Sequence, residues 1–156
     1  MNLRPAVIED TQVLADFNIN MAYQTERIKL IPEVTRAGVE TMIKNPQMEF
    51  YLVAEDQGEI AASLMVTTEW SDWRNGLLWW KQSVYVRPQN RRRGLYRQLY
   101  QQVKSIAESE TNVCGFRLYV EQGNSAAQAT YRSLGMVETA YKLYQELKPD
   151  IHYCNT

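Results

Sequence analysis

Residues 83–100 read SVYVRPQNRRRGLYRQLY, and this segment constrains the fold more than any other part of the chain. The apolar alternation in SVYV predicts a strand, which Pro88 ends. Apolar residues then recur at helical spacing from Leu95 onward, so a helix begins after Gly94. Three consecutive arginines therefore lie at a junction between a strand and a helix.

Such a junction is suited to binding an anion. The first turn of a helix leaves its backbone N–H groups free, and the helix dipole favours negative charge there. Arginine side chains add charge-assisted donors that match phosphate oxygens. The segment matches neither GxxxxGK[ST] nor GxGxxG. The residues alone predict an anion site at a helix start, with a solvated basic helix entry as the structural alternative.

Periodicity and caps along the rest of the chain predict a mixed α/β domain over residues 1–156. A first strand is followed by two helices, with Asp10 as the first N-cap and Pro32 opening the second. The later elements, in chain order, are strands at EFYLVAED and EIAASLMVTT, a polar loop at EWSDWRNG, a strand at LLWWKQSVYV, the helix after Gly94, a strand at GFRLYVEQ, a helix from Asn124 to Gly135, and a strand at VETAYKLYQEL. We therefore expect helices packed on a mixed, mostly antiparallel twisted sheet.

The charge balance argues against a nucleic-acid or membrane partner. The chain has 17 Lys+Arg and 18 Asp+Glu, and its N-terminus has no apolar leader. No apolar run approaches the roughly 18 residues of a membrane span, so we expect a cytoplasmic protein. If the arginines instead bound nucleic acid, affinity for oligonucleotides would fall steeply with salt.

The cysteines and the histidine form no recognisable metal or disulfide pattern. Cys114 and Cys154 lie far apart, and His152 is the single histidine. We expect no metal site, and we interpret both cysteines as small apolar fillers in a reducing compartment.

Two segments resemble the GNAT superfamily of N-acetyltransferases. The first, VYVRPQNRRRGLYRQLY, is similar to the pyrophosphate loop of that family, Q/R-x-x-G-x-G/A, whose places are taken by Arg91, Arg92, Arg93, Gly94, Leu95 and Tyr96. The second, NSAAQATYRSLGM, resembles N-x-x-A-x-x-x-Y-x-x-x-G-F, with Asn124, Ala127, Tyr131 and Gly135 in register and Met136 in place of phenylalanine. The resemblance covers essentially the whole chain and implies the GNAT fold, with acetyl-CoA as the acyl donor.

Two positions depart from the family pattern. Tyr96 stands where the family usually has glycine or alanine, and Arg92 stands where glycine is common. The backbone N–H donors are present whatever the side chain. A substitution therefore affects phosphate binding only where the position needs a positive φ or a close approach of the backbone to the ligand. We expect the Tyr96 side chain to point away from the phosphates and to pack on the sheet.

The resemblance implies transfer of an acetyl group to a primary amine by direct attack in a ternary complex. The acceptor, a small molecule or an amino group of a larger one, is not identified. Main-chain groups of Val84, Tyr85 and Val86 would pair with the pantetheine chain, and Asn124 would approach the cofactor. Tyr131 would be the general acid, because a phenol of pKa about 10 can protonate a thiolate whose thiol has a pKa of about 8.5. The structural alternative for Tyr131 is a core tyrosine with a satisfied hydroxyl.

The general base is open among carboxylates. The strand LLWWKQSVYV contains none, so the candidates are Glu69, Asp72 and Glu121, with Glu69 slightly ahead of Glu121. A carboxylate can take the proton of the amine directly or through water. The structural alternative for each is a solvated charge at a loop or strand end.

All four tryptophans fall in WSDWRNGLLWW. Trp79 and Trp80 must point to opposite faces of their strand, so one is expected in the core. Trp70 and Trp73, with the neighbouring carboxylates, could form an aromatic, acidic pocket for a cationic amine. The competing interpretation is a dimer contact, and both a monomer and a homodimer remain open.

A second function class is a non-catalytic acyl-CoA-binding or sensing module with the same fold. The missing strand carboxylate and the departure at Tyr96 support this alternative. Replacing Tyr131 by phenylalanine separates the two, because an enzyme loses turnover while a sensor has none to lose.

Overall fold

The computed structural model describes residues 1–47 and 49–156. The strands are β1 (Asn2–Pro5), β2 (Lys29–Leu30), β3 (Phe50–Asp56), β4 (Glu59–Ser71), β5 (Gly76–Val86), β6 (Val113–Arg117) and β7 (Cys154–Asn155). The helices are α1 (Thr11–Glu26), α2 (Pro32–Ile43), α3 (Leu95–Glu108) and α4 (Ser125–Ser133). Within this part of the chain, every helix is too short or too polar to cross a bilayer.

The sheet is mixed and mostly antiparallel, which confirms the predicted fold class. Five strands lie in the order β1-β3-β4-β5-β6, and β5 with β6 is the parallel pair. The parallel pair needs a crossover, and α3 supplies it. Strands β2 and β7 form a separate two-stranded sheet that joins the C-terminal end to the segment after α1.

Helices cover both faces of the sheet. On one face, Leu99 and Val103 of α3 pack with Leu64 and Trp79 in one buried cluster. On the other face, Leu14 and Phe17 of α1 pack in a second cluster, which contains Val53, Tyr85 and Val39 of α2. The cores fix the position of β5, because this strand contributes side chains to both.

Strand β5 contains a bulge at Ser83. The register with β4 shifts between Met65↔Gln82 and Ser63↔Tyr85, and Ser83 has φ 48°. The extra residue reverses the alternation of the strand: Trp79 before the bulge and Val84 after it both contact the α3 side.

Local sequence explains where the helices begin. Pro32 is the first residue of α2, as predicted. The Asn124 side-chain oxygen accepts the Ala127 N–H at 3.2 Å, which caps α4 as predicted. Asp10 precedes α1, but its carboxylate accepts the Val7 N–H at 2.8 Å instead of capping the helix.

Four sequence-based expectations are corrected by the structure. The run VETAYKLYQEL is not a strand: it is exposed and lacks regular backbone pairing. Strand β4 continues to Ser71, so Glu69 and Trp70 lie on a strand and not in a loop. Strand β6 ends at Arg117, well before the end of GFRLYVEQ. Cys114 is an exposed free thiol, so it is not a core filler.

Candidate functional site

Strands β5 and β6 separate and leave an opening between them. Their last paired residues are Trp80 and Arg117. Beyond that pair β5 remains bonded to β4, where Tyr85 opposes Ser63 and Val86 opposes Ala62. The other edge of residues 81–86 therefore has no strand partner in the described chain. This edge, which includes Val84, Tyr85 and Val86, is open to main-chain pairing with a ligand except at the Val86 carbonyl, which accepts the Arg91 Nε–H.

Two of the three arginines hold the loop after β5 in place. The Arg91 Nε atom donates to the Val86 carbonyl at 3.0 Å, and its Nη2 atom donates to Gln24 Oε1 at 2.9 Å. Arg93 forms an ion pair of 3.1 Å with Asp56. The Arg92 guanidinium has no hydrogen-bond partner among the described residues and is exposed. Of the three, Arg92 is therefore the one available to an external anion.

The backbone of the same loop presents donors at the start of α3. None of the N–H groups of residues 92–97 donates to another protein group in the described part of the chain. Gly94 adopts φ 71° and Arg92 φ 62°, conformations that glycine takes readily. The positive φ of Arg92 explains why glycine is common at this position of the GNAT loop pattern. Free donors, the helix dipole and Arg92 together fit a pyrophosphate.

Tyr96 does not obstruct this cradle. Its ring is partly buried, stacks on Tyr100 at 6.2 Å, and contacts the Tyr131 ring edge-on at 5.6 Å. Burial raises the pKa of the Tyr96 phenol well above its ordinary value. The side chain thus lies between α3 and α4, packed inward in the orientation that we expected.

Tyr131 lies on α4 and faces α3 through Tyr96. Burial raises the pKa of its phenol, so the group is protonated at neutral pH. Asn124 lies at the other end of the same helix, where its oxygen caps the first turn. The structure therefore places a protonated phenol against Tyr96, whose hydroxyl lies 3.4 Å from Lys81 Nζ on β5.

Glu69, the first candidate base, is already engaged. Arg117 Nη1 lies 2.7 Å from Glu69 Oε1, and Trp80 Nε1 donates to the same oxygen at 3.3 Å. Glu69 also opposes Leu78 on β5, six residues before Val84. At about 3.3 Å per residue this separation is roughly 20 Å along the strand. Both observations disfavour Glu69 as a direct base for a reaction beside Val84.

Glu121, the second candidate, is engaged less strongly than Glu69. It lies four residues beyond Arg117, in the segment that joins β6 to α4. Among the described residues Glu121 has no ionic partner, whereas Glu69 has Arg117. One Glu121 oxygen accepts the Gly123 N–H at 2.8 Å, and the side chain is exposed. These contacts favour Glu121 over Glu69 as a free carboxylate, whereas the sequence ranked Glu69 slightly ahead.

The tryptophans divide as the strand alternation predicted. Trp79 is buried against Phe50 at 5.4 Å, whereas Trp80 lies on the opposite face, 6.0 Å from Tyr119.

A cavity of about 250 Å³ lies at the tip of the β4–β5 hairpin. Its lining includes Glu69, Trp70, Asp72, Trp73, Arg74 and Arg117. The two arginines balance the two carboxylates, so the cavity is not the acidic pocket that the sequence indicated.

Sequence reasoning missed two sets of polar side chains beside the opening. Lys81 is buried on the α3 side of β5, and its signal was a single lysine inside the apolar run LLWWKQSVYV. On the α1 side, Asn18 Nδ2 donates to the hydroxyl of the buried Tyr51 at 3.4 Å. The signal for Asn18 was an asparagine within a helix that packs on the core.

Comparison with known proteins agrees with this geometry. The family model of the acetyltransferase (GNAT) family matches residues 18–136. A possible acetyltransferase from Clostridium difficile 630 is 39% identical, with a TM-score of 0.87 over 97% of this chain and 98% of that chain. No curated protein sequence shows significant similarity.

More distant solved structures share the fold. A predicted acetyltransferase with acetyl-CoA from Clostridium acetobutylicum is 17% identical, with a TM-score of 0.77 over 93% of this chain and 95% of that chain. The ribosomal-protein-alanine N-acetyltransferase of Brucella melitensis biovar Abortus 2308 is 14% identical, with a TM-score of 0.73 over 94% and 98%. At these identities the likeness concerns the fold alone.

Proposed function

Because the chain belongs to the acetyltransferase (GNAT) family, we propose that it transfers an acetyl group from acetyl-CoA to a primary amine by direct attack in a ternary complex. The observation that carries this proposal is the alignment of three features along β5 and α3. These are the free N–H groups of residues 92–97, the unpaired edge of residues 81–86, and the protonated Tyr131 in contact with Tyr96 of α3.

The start of α3 binds the pyrophosphate of the donor. The N–H groups of residues 92–97 and the Arg92 guanidinium supply donors without moving Arg91 or Arg93, whose side chains hold the loop. Preorganised donors cost little reorganisation on binding. The open edge of Val84, Tyr85 and Val86 then aligns the pantetheine chain by main-chain hydrogen bonds.

Acetyl-CoA supplies an acyl carbonyl activated as a thioester. Tyr131 holds a proton on its phenol oxygen and gives it to the departing sulfur. Glu121 accepts the proton of the attacking amine, directly or through a water molecule, because its exposed carboxylate has no ionic partner in the described chain. Glu69 remains the alternative base, acting only through a longer relay, since Arg117 already neutralises its carboxylate.

Binding and turnover are tested separately. Calorimetry with acetyl-CoA should give micromolar affinity, and 3′-dephospho-CoA is the control for the 3′-phosphate contacts. Thiol release with a panel of amines should then fall by about a hundredfold or more in Tyr131→Phe, with the affinity for acetyl-CoA retained. Absence of acetyl-CoA binding at low salt would remove the proposal.

A second candidate is a non-catalytic acyl-CoA-binding module. The engagement of Glu69 by Arg117 and the bond from Gly123 to Glu121 favour it, because neither carboxylate is free of protein partners. Such a module would bind acetyl-CoA, release no thiol with any amine, and respond to Tyr131→Phe in affinity alone.

A further inference from the structure

Lys81 is an unusual residue for the centre of β5. Its side chain is 2% exposed and lies on the same face as Trp79, toward α3. It is also the first β5 residue beyond the last pair with β6, Trp80 and Arg117. A lysine therefore stands buried at the apex of the opening between the two strands.

The ammonium group of Lys81 has no carboxylate partner among the described residues. Its Nζ atom lies 3.3 Å from the centroid of the Tyr100 ring, 3.4 Å from the Tyr96 hydroxyl and 3.3 Å from the Met136 sulfur. Burying a charge without an ionic partner is costly, and an apolar side chain would pack there without that cost. The aromatic faces compensate only part of it.

The groups facing Lys81 come from every neighbouring element. Helix α3 contributes Tyr96, Tyr100 and Lys104, whose Nζ atom lies 4.6 Å from the Tyr100 ring centroid. Across β4, Lys81 opposes the uncharged Val66. On the β6 side, Arg117 is paired with Glu69, and on the α4 side Tyr131 contacts the Tyr96 ring.

Burial, and secondarily the charge of Lys104, lowers the pKa of Lys81 to about 7. Both protonation forms are therefore present near neutral pH. The hydrogen bond with Tyr96 reverses between them: an ammonium can only donate to the Tyr96 oxygen, whereas a neutral amine can accept the Tyr96 O–H. The change reaches Tyr131 because its ring contacts that of Tyr96 at 5.6 Å.

We propose that Lys81 is a positioning residue that acts through Tyr96 on Tyr131. Its charge and its bond to the Tyr96 hydroxyl fix the tyrosine pair across α3 and α4. Loss of its proton changes the electrostatic surroundings of the Tyr131 phenol. The effect on turnover rests on the proposed function, whereas the coupling between the side chains does not.

The coupling is tested first without any reaction. In protein labelled at the tyrosine Cζ carbons, the Tyr131 resonance, assigned with Tyr131→Phe, should shift with a midpoint near pH 7. Lys81→Met, which has nearly the same shape, should abolish this shift, and Tyr96→Phe should strongly reduce it. Lys104→Met is the matched control, because it removes the other ammonium over Tyr100: the shift should persist with its midpoint at higher pH. If the chemical shift of the Tyr131 resonance does not change as Lys81 titrates, the proposal is overturned.

The second test uses turnover. Lys81→Met should lower kcat roughly tenfold, less than loss of the acid itself, with KM for acetyl-CoA changed by less than about threefold. The wild-type kcat profile should contain an ionisation near pH 7 that is absent in Lys81→Met. Lys81→Arg, which stays charged, should keep the kcat that the wild type has at low pH at all pH values.

An unchanged kcat profile in Lys81→Met would overturn the role in turnover. If the wild type binds acetyl-CoA without turnover, the proposed enzyme function fails, and the resonance measurement alone decides the coupling.

Discussion

The ammonium nitrogen of Lys81 sits 3.3 Å from the centre of the Tyr100 ring, in a position where an apolar side chain would be expected. The folded chain holds this proton less tightly than the unfolded chain, because the pKa falls from the ordinary 10.5 to about 7. Between these values the unfolded state binds more protons, so stability must rise with pH.

The free energy of unfolding should therefore increase from pH 7 toward pH 10 by a few kcal/mol, roughly 2 to 4. Lys81→Met should remove this increase and be more stable than the wild type at pH 7 by a similar amount. Urea denaturation of both proteins at several pH values measures the difference, in which the other titrating groups cancel. If the free energy of unfolding has the same pH dependence in the two proteins, the pKa of Lys81 is not lowered in the folded state.

Arg92→Gly should separate affinity from stability. The variant relieves a φ of 62° and breaks no protein hydrogen bond in the described chain, so the free energy of unfolding should change by less than about 1 kcal/mol. Loss of the guanidinium should weaken acetyl-CoA binding by about five- to tenfold. The same factor for 3′-dephospho-CoA in calorimetry places Arg92 at the pyrophosphate. An effect confined to acetyl-CoA places it at the 3′-phosphate instead.

Asn124→Ala should destabilise the protein by about 1 kcal/mol, since the Ala127 N–H loses its partner. For a chain of this size that is a fall in Tm of about 2–4 °C. Asn124→Asp keeps an equally good cap and serves as the matched control. If both variants melt alike, the cap contributes no measurable stability.

The two carboxylates should respond differently to neutralisation. Glu121→Gln should lower kcat/KM for the amine at least tenfold, while an amide oxygen can still accept the Gly123 N–H. Glu69→Gln should stay within about threefold, because the Glu69 carboxylate is bonded to Arg117 and lies far from Val84. The opposite order would restore Glu69 as the base.

The exposed run 137–150 should be the first site of proteolysis. Its apolar side chains, including those of Tyr144 and Leu143, are exposed by 88% and 71%, and no sheet protects its backbone. Brief digestion with chymotrypsin should cut there before any other place, as determined by intact mass. Early cleavage within β3 or α3 would show that this run is protected in solution.

Much of the fold could be predicted because its signals are local. Pro32, Asn124 and Gly135 fix helix ends through their own backbone preferences. The final run alternates like a strand, but a strand also needs an edge to pair with, and pairing is a tertiary property. Alternation therefore indicated the wrong element between residues 137 and 147.

The candidate site was less predictable, because its decisive contacts join distant residues. The partner of Glu69 is Arg117, 48 positions away, and no pattern connects the two. The face on which Lys81 lies follows from the packing of β5 on α3. The motif residues Arg92, Gly94 and Tyr131 could be identified from the sequence, because each belongs to a short, contiguous segment.

The bulge at Ser83 also determines where the chain can change length. Since successive strand residues point to opposite faces, plain alternation from Trp79 without Ser83 would already direct Val84 toward α3 and Tyr85 toward α1, so deleting Ser83 would leave both in their present cores. Single-residue deletions should therefore be accepted at Ser83, as in the hairpin turns at residues 57–58 and 72–75, and rejected within the regularly paired residues 77–81, where one would turn part of β5 to the opposite face. Natural length variation within β5 of such chains is thus expected at the bulge.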